Sequence, residues 1–282
     1  MQIIHEIKDL EHVLQALKLS GTLGFIPTMG ALHDGHLALV KESISNDDVT
    51  IASIFVNPTQ FNDKNDLRNY PRDFAADCAK LKSVGCDVVF APENEEMYPE
   101  PDTRIYDLNG LDTVMEGEHR PGHFNGVAQI VSKLFDIVQP DKAYFGEKDY
   151  QQVAVIKHLT ESLKYDIEIV TVPTVREEDG LAMSSRNLLL TKEHRAVASS
   201  IHKILKSITG LYSSKLPMEI KTFVEQEFAK IPLLELEYIE LVNSRTLEPI
   251  QNWNVNTSVT ACIAVFAGKI RLIDNISFDI KN

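Results

Sequence analysis

The chain has 282 residues, 44% hydrophobic and 24% charged, which is typical of globular proteins and long enough for one large domain or two ordinary ones. Its formal net charge of −13 argues against nucleic-acid partners, because an acidic surface repels a phosphate backbone. With no apolar run near the ~18 residues of a membrane span and only three separated cysteines, we expect a cytoplasmic protein without a membrane partner, disulfide framework or structural zinc site.

Strand-like and helix-like patterns alternate over the first two thirds of the chain. The apolar patterns predict strands at 22–26, 49–56, 87–90, 143–145 and 167–172, and helices around 37–44, 74–81, 127–138 and 153–163. The helix at 127–138 has the strongest signal, since its apolar residues recur at intervals of three and four. This alternation predicts an α/β fold, a Rossmann-like doubly wound parallel sheet.

The pattern changes after Arg186. Two predicted helices are followed by three strand-like runs, at 197–208, 218–229, 236–242, 259–266 and 270–273, with a hairpin turn at 267–269. These elements predict a smaller C-terminal α+β domain that could act as a lid. We place the domains at residues 1–175 and 176–282, with the boundary near 175–184.

The first motif joins the first strong strand to the next helix and reads Pro27-Thr28-Met29-Gly30-Ala31-Leu32-His33-Asp34-Gly35-His36. Ligands of open α/β sheets bind at the carboxyl ends of strands, often against a helix N-terminus. His33 and His36 would lie at this opening, where imidazoles can donate hydrogen bonds to phosphate. An ordinary surface loop remains an alternative, whereas a catalytic zinc site usually needs a third ligand.

Two further motifs also follow predicted strands, Phe145-Gly146-Glu147-Lys148-Asp149-Tyr150-Gln151-Gln152 and Gly180-Leu181-Ala182-Met183-Ser184-Ser185-Arg186-Asn187. Lys148 is a point charge suited to phosphate, and Asp149 could bind a ribose hydroxyl. The hydroxyls and guanidinium of the second motif could form a compact phosphate clamp. Either motif alone could be a polar loop, but all three lie on one predicted rim of the sheet. No P-loop or GxGxxG pattern occurs.

At these residues the chain resembles a known family. The segment from His33 to His36 resembles the HIGH motif, and Met183 to Arg186 the KMSKS-like loop, of nucleotidyltransferases related to class I aminoacyl-tRNA synthetases. The longer strings resemble the pantothenate synthetase family, at 27–36, 55–61, 119–124, 145–152, 172–187 and 271–275. Thr59 and Gln129 stand where some relatives have other residues.

The resemblance implies ligation of pantoate to β-alanine through pantoyl-adenylate, with release of pyrophosphate and AMP. It also implies Mg²⁺ as the partner of ATP, and a homodimer. The metal ligands stay unknown.

The resemblance implies a role for each matching residue. His33, His36, Lys148 and Arg186 would be catalytic, with His36 as the proton donor. Gln60 would contact pantoate and β-alanine, and Gln152 pantoate. ATP would be bound by Met29, Gly30, Ala31, Leu32, His33, Asp34, Gly35, His36, Gly146, Glu147, Lys148, Asp149, Val175, Met183, Ser184, Ser185 and Arg186. The segment with His119, Arg120 and His123 resembles the dimer-side loop of the family.

Three other readings compete with this one. A nucleotidyltransferase for phosphopantetheine or a nicotinamide nucleotide would share the histidine motif, but Gln60 and Gln152 favour a small polar acid. A tRNA synthetase would need an RNA-binding appendage, which the short acidic chain does not show. A non-catalytic nucleotide-binding module would bind ATP without releasing pyrophosphate.

Overall fold

The computed structural model describes residues 1–17, 19, 21–62 and 64–281. Its first sheet has six strands in the order β1-β4-β3-β2-β5-β6, and every neighbouring pair is parallel. The strands are β1 (Gln2–Ile4), β2 (Leu23–Thr28), β3 (Val49–Ile54), β4 (Val88–Phe90), β5 (Lys142–Gly146) and β6 (Glu168–Val172). The predicted doubly wound α/β fold is confirmed.

Helices cover both faces of this sheet, as a parallel sheet requires. They are α1 (Ile7–Leu17), α2 (Asp34–Asn46), α3 (Lys64–Asn69), α4 (Phe74–Val84), α5 (Asn94–Met97), α6 (Glu116–His119), α7 (His123–Val138) and α8 (Tyr150–Ser162). Apolar residues of α2 and α4 form one core with Ile26, while α1, α7 and α8 form another with Phe25. Adjacent residues of β2 serve opposite cores because side chains alternate along a strand.

The order in which the chain adds strands to the sheet reverses beside β2. From β2 the chain proceeds through β3 to β4 on one side, and then returns to β5 and β6 on the other. The carboxyl ends of β2 and β5 therefore flank a topological switch point. Ligands of open α/β sheets bind at such points.

The second sheet is antiparallel, in the order β7-β8-β9, and is preceded by three helices. These elements are α9 (Lys192–Ala198), α10 (Ser200–Ile208), α11 (Pro217–Ala229), β7 (Leu234–Asn243), β8 (Ser258–Ala267) and β9 (Ile270–Asp279). The predicted hairpin turn lies between β8 and β9. The sequence underestimated β9, because polar residues interrupt its apolar pattern after Ile273, and it merged α9 with α10.

The chain divides into two compact units. The first contains Met1–Glu147 and Gln151–Pro173, and the second contains Lys148–Tyr150 and Thr174–Asn282. The second has its own core, built by Leu205, Val224, Leu241 and Val265 among others. Within the part of the chain that the structure describes, no helix is both long and apolar enough to cross a membrane.

Candidate active site

The loop between β2 and α2 makes a tight turn at the switch point. Gly30 has φ +78° and Ala31 has φ +50°, so two successive residues adopt left-handed backbone geometry. Glycine adopts it readily, whereas for an L-residue it costs about 1–2 kcal/mol. Thr28 supports the turn, since its Oγ1 accepts from Gly30 N at 3.2 Å and donates to Ser53 O at 2.6 Å.

The two predicted histidines form a reciprocal cap at the N-terminus of α2. His33 is the N-cap residue, and its Nδ1 accepts from Gly35 N at 3.1 Å. The Nδ1 of His36 accepts from His33 N at 3.3 Å, and the ring centroids are 4.1 Å apart. The structure therefore brings these residues together in a capping box, a role that serine or threonine with glutamate more often fills.

The capping bonds determine which ring nitrogen carries the proton. Each Nδ1 accepts a backbone hydrogen, so each neutral ring is protonated at Nε2 and Nε2–H is a donor. The helix N-terminus adds its own N–H groups and the positive end of the helix dipole. Two imidazole donors beside a helix N-terminus can stabilise a phosphate anion.

Gln60 lies beside this loop, in a short 3₁₀ turn at Pro58–Gln60, and is buried. Asn57 Nδ2 donates to Gln60 Oε1 at 3.1 Å, and Tyr98 donates its hydroxyl hydrogen to Asn57 Oδ1 at 2.7 Å. Gln60 Nε2 then points at Met29 Sδ, 3.1 Å away. The structure thus brings two predicted site residues, Gln60 and Met29, together.

The N-terminal part of α7 supports the same turn from its other side. His123 Nδ1 is 2.8 Å from Gln60 O, which assigns a proton to Nδ1. Arg120 Nη1 donates to His123 Nε2 at 3.1 Å. A Cβ at Gly126 would lie 2.5 Å from Thr59 O, so only glycine allows this close approach. Two residues of the predicted dimer-side loop thus help to position Gln60 in their own chain.

Two adjacent glutamines at the start of α8 have different environments. Gln151 is buried, accepts from Glu116 N at 3.0 Å, and donates to Leu111 O and Val114 O at 2.6 and 2.8 Å. Gln152, the predicted pantoate ligand, is half-buried. Among the described residues no hydrogen bond joins Gln152 to Gln60.

In the second unit, Lys148 and Asp149 form a half-buried pair. Their Nζ and Oδ2 atoms are 3.6 Å apart. Asn275, a buried residue of β9, donates from Nδ2 to Lys148 O at 3.0 Å. The backbone that carries the Lys148 ammonium is therefore held by a strand far away in sequence.

A small hairpin of the second unit brings Val175 and Met183 together. Met183 N donates to Val175 O at 3.0 Å, and Arg176 forms an isolated bridge with Ala182. Arg176 also makes a bidentate ion pair with buried Asp274, at 2.7 and 2.9 Å. This bidentate ion pair anchors the hairpin on β9, since it fixes both the distance between the two groups and the plane in which they lie.

The segment from Ser184 to Arg186 follows this hairpin. Ser184 is the N-cap of a 3₁₀ helix at Ser185–Leu189, and its side chain accepts from Arg186 N at 3.3 Å. Asn187 Nδ2 donates to Ala182 O at 3.1 Å. The predicted clamp is thus an ordered, capped turn with Arg186 half-buried.

Several positioning residues escaped the sequence reasoning. Asp77 bonds the backbone of the β2–α2 loop, Asn57 orients Gln60, and Asn275 holds Lys148. Asp77 left a usable signal, because it lies four residues before Leu81 on the apolar face of a helix, where an ordinary carboxylate would be unfavourable. Asn275 acts on Lys148 over a distance in sequence that no local pattern reveals. Asn57 is close to Gln60 in sequence, but its own orientation depends on remote contacts with Tyr98 and Gly126.

The described residues contain no group of three or more His, Cys, Asp or Glu side chains that could hold a metal ion. The described residues therefore offer no metal site built from three or more such side chains. Mg²⁺ commonly binds through substrate phosphates and retains several waters, so a nucleotide can carry its own ion.

The fold and the histidine-capped helix define the class: a Rossmann-like nucleotide-binding protein of the HIGH type. A family model described as pantoate-beta-alanine ligase matches residues 2–277. The chain therefore belongs to the pantoate–β-alanine ligase family, whose reaction is the ATP-dependent condensation of pantoate with β-alanine. This confirms the resemblance drawn from the motifs.

Known relatives agree along the whole chain. A pantothenate synthetase of Bacteroides fragilis is 53% identical over 279 residues, which cover 99% of each chain. The crystal structure of pantothenate synthetase from Thermus thermophilus has a TM-score of 0.92 and 39% identity, and covers 100% of both chains. A pantoate-beta-alanine ligase from Francisella tularensis, solved with beta-gamma ATP and beta-alanine, has a TM-score of 0.82 and 38% identity, and covers 98% of this chain and 97% of the other.

Proposed function

We propose that this chain condenses pantoate with β-alanine in two half-reactions. In the first, a carboxylate oxygen of pantoate attacks the α-phosphorus of ATP, and the bond to the bridging oxygen breaks to release pyrophosphate. In the second, the amine of β-alanine attacks the acyl carbon, AMP leaves with the bonding electrons, and the amine loses its proton. Membership of the ligase family and the histidine-capped helix support this proposal.

The observation that carries the first half-reaction is the pair of Nε2–H donors at the N-terminus of α2. Attack by one anion on another requires groups that stabilise the negative charge developing on the leaving phosphate. His33 and His36 are held by backbone hydrogen bonds before any ligand arrives, so little reorganisation is needed. We assign both to ATP, with His36 as proton donor, together with the loop residues Met29, Gly30, Ala31, Leu32, Asp34 and Gly35.

The other residues that match the family's motifs would also take part in nucleotide recognition. We assign Lys148 and Arg186 to the phosphates, and Asp149 to the ribose. Val175 would meet adenine through its backbone, on the hairpin that also carries Met183. We assign Gly146, Glu147, Ser184 and Ser185 to ATP as well.

Gln60 and Gln152 would recognise the acid. Gln60 is buried and already oriented by Asn57, so its amide can bind a small polar substrate with little loss of side-chain entropy. We assign Gln60 to both pantoate and β-alanine, and Gln152 to pantoate.

Mg²⁺ would enter with ATP as part of the substrate complex and neutralise phosphate charge. A homodimer and a cytoplasmic location complete the proposal, on the strength of the family alone.

Pyrophosphate release tests this function directly. We expect release with ATP, Mg²⁺ and D-pantoate, and AMP formation only after β-alanine is added. Equal pyrophosphate release without pantoate would contradict activation of the acid and favour another nucleotidyltransferase. ATP binding without any pyrophosphate would favour a non-catalytic module.

A further inference from the structure

A buried carboxylate lies directly behind the β2–α2 loop. Asp77 is the fourth residue of α4 and only 2% exposed, on the same helix face as Cys78 and Leu81. An ionised group in such a position is unfavourable unless hydrogen bonds compensate for its lost water. Its partners therefore indicate why the fold retains it.

Both oxygens of Asp77 bind consecutive peptide groups of the loop. Oδ2 accepts from Ala31 N at 2.8 Å and Oδ1 accepts from Leu32 N at 2.7 Å. These bonds hold the two amides on either side of a left-handed residue, since Ala31 has φ +50°. Hydrogen bonds to a carboxylate are among the stronger ones in proteins, and these two stabilise the strained backbone at Ala31.

A second residue of α4 holds the same segment. Lys80 Nζ donates to Leu32 O at 2.5 Å, one turn along the helix from Asp77. Gly30 completes the fit, because a Cβ there would lie 2.9 Å from Asp77 Oδ2. Both backbone polar groups of Leu32 are thus fixed by α4, immediately before the N-cap residue His33.

We propose that Asp77 is a positioning residue for nucleotide activation, holding Ala31 and Leu32 so that the His33–His36 cap presents its donors to the phosphates of ATP. The inference rests on the proposed function of that cap. Asp77 acts through the loop backbone and touches no substrate. Its loss would misalign donors that stabilise the departing pyrophosphate. The leaving group of the β-alanine step is AMP, which lacks the β- and γ-phosphates that those donors would bind.

The test is Asp77→Asn, which preserves size but places an amide NH₂ opposite a backbone N–H. We expect the kcat of pantoate-dependent ATP–pyrophosphate exchange to fall about tenfold or more, as ~1.4 kcal/mol of misalignment would produce. The reaction of supplied pantoyl-adenylate with β-alanine should stay within about twofold. Equal losses in both half-reactions, or unchanged exchange, would overturn the proposal.

Asp73→Ala is the matched control. Asp73 caps the same helix by accepting from Ala76 N at 3.0 Å, but its side chain is exposed and does not bond the loop. Its removal should lower the urea midpoint of unfolding and leave exchange unchanged. A loss of exchange in this control would show that any weakening of α4 slows exchange, and would contradict a specific role for Asp77.

Lys80→Met is the second test variant, for use if Asp77→Asn does not fold. Lys80 is exposed, so its loss leaves no buried charge. It should slow exchange selectively, though less than Asp77→Asn, and an unaffected exchange would then contradict clamping by α4. A wild-type chain without pantoate-dependent exchange would instead refute the proposed function itself.

Discussion

His36 has two separable tasks, one for each ring nitrogen. Nδ1 caps α2, and Nε2–H is the proposed phosphate donor. Glutamate also completes a capping box, but it replaces the donor with a negative charge. We therefore expect His36→Glu to keep the unfolding free energy within about 0.5 kcal/mol and to lower pantoate-dependent exchange by ~10² or more.

His36→Gln is the control for this prediction. Its amide can accept the capping hydrogen and still direct an N–H outward, so its exchange rate should lie between those of wild type and His36→Glu. Near-normal exchange in His36→Glu, measured with labelled pyrophosphate, would refute the donor role.

Gln151 and Gln152 form a natural matched pair at the start of α8. Gln152→Ala should raise the KM for pantoate more than the KM for ATP, because its side chain is the proposed acid ligand. Gln151→Ala should instead leave both KM values near normal and reduce stability by about 1–3 kcal/mol, since buried partners such as Glu116 N lose a hydrogen bond. Initial-rate kinetics and urea denaturation separate the two. A larger change in KM for ATP with Gln152→Ala would argue against the pocket.

At the scale of elements, α7 and the 3₁₀ turn at Pro58–Gln60 are packed as one piece. Gly126→Ala would place a methyl group 2.5 Å from Thr59 O and 2.8 Å from Gln60 Cα, so the turn must move. We expect the KM for pantoate to rise several-fold, with an overpacking loss of about 1–3 kcal/mol. Steady-state kinetics with varied pantoate measure the effect.

Gly210→Ala controls for the loss of a glycine. Gly210 has φ −104°, and a Cβ there would meet nothing within 4 Å. This variant should keep the wild-type KM. An unchanged KM in Gly126→Ala would mean that the turn does not position Gln60.

The elements that the sequence predicted well are those whose periodicity is local. Helix α7 begins at His123 rather than Val127, but its apolar face was visible from residue spacing alone. Strand β1 was missed, since it has only three residues and pairs with β4, more than eighty residues away, which leaves almost no local pattern. Helix α1 was also missed, although its apolar residues Leu10, Val13, Leu14 and Leu17 recur at helical spacing.

For the whole molecule, His202 links stability to pH. Burial, and then the nearby Arg176 charge, lowers the pKa of His202 below its ordinary value of about 6.5, while Asp274 opposes the shift and Lys206 adds to it. Below pH 6.5 the unfolded chain binds this proton more readily than the folded one. The stability due to the neutral ring is thus complete above pH 6.5 and declines as pH falls toward the lowered pKa.

His202→Phe removes the titratable imidazole and keeps an aromatic ring beside Gly180 and Asp274. Urea unfolding at pH 8.0 and pH 5.5 should show a smaller acid-induced loss in His202→Phe than in wild type. An identical loss in both proteins would mean that other groups account for the acid sensitivity.

The sequence by itself determined the doubly wound α/β class and supplied the residues that we propose for the chemistry. It could do so because alternating periodicities and short motifs such as His33 to His36 are local properties of the chain. The family followed from those strings, and the comparisons confirmed it.

Only the tertiary structure decided how those residues are oriented. The proton on each Nε2 follows from backbone bonds at the start of α2, and the shape of its loop follows from Asp77 on another helix. The 3₁₀ turn that carries Gln60 depends on its close approach to Gly126. The backbone of Lys148 is held by a hydrogen bond from Asn275. The histidine cap is local, but the other three are contacts between segments remote in sequence. Orientation is set by such contacts because a buried polar group must find its partner wherever the fold brings one.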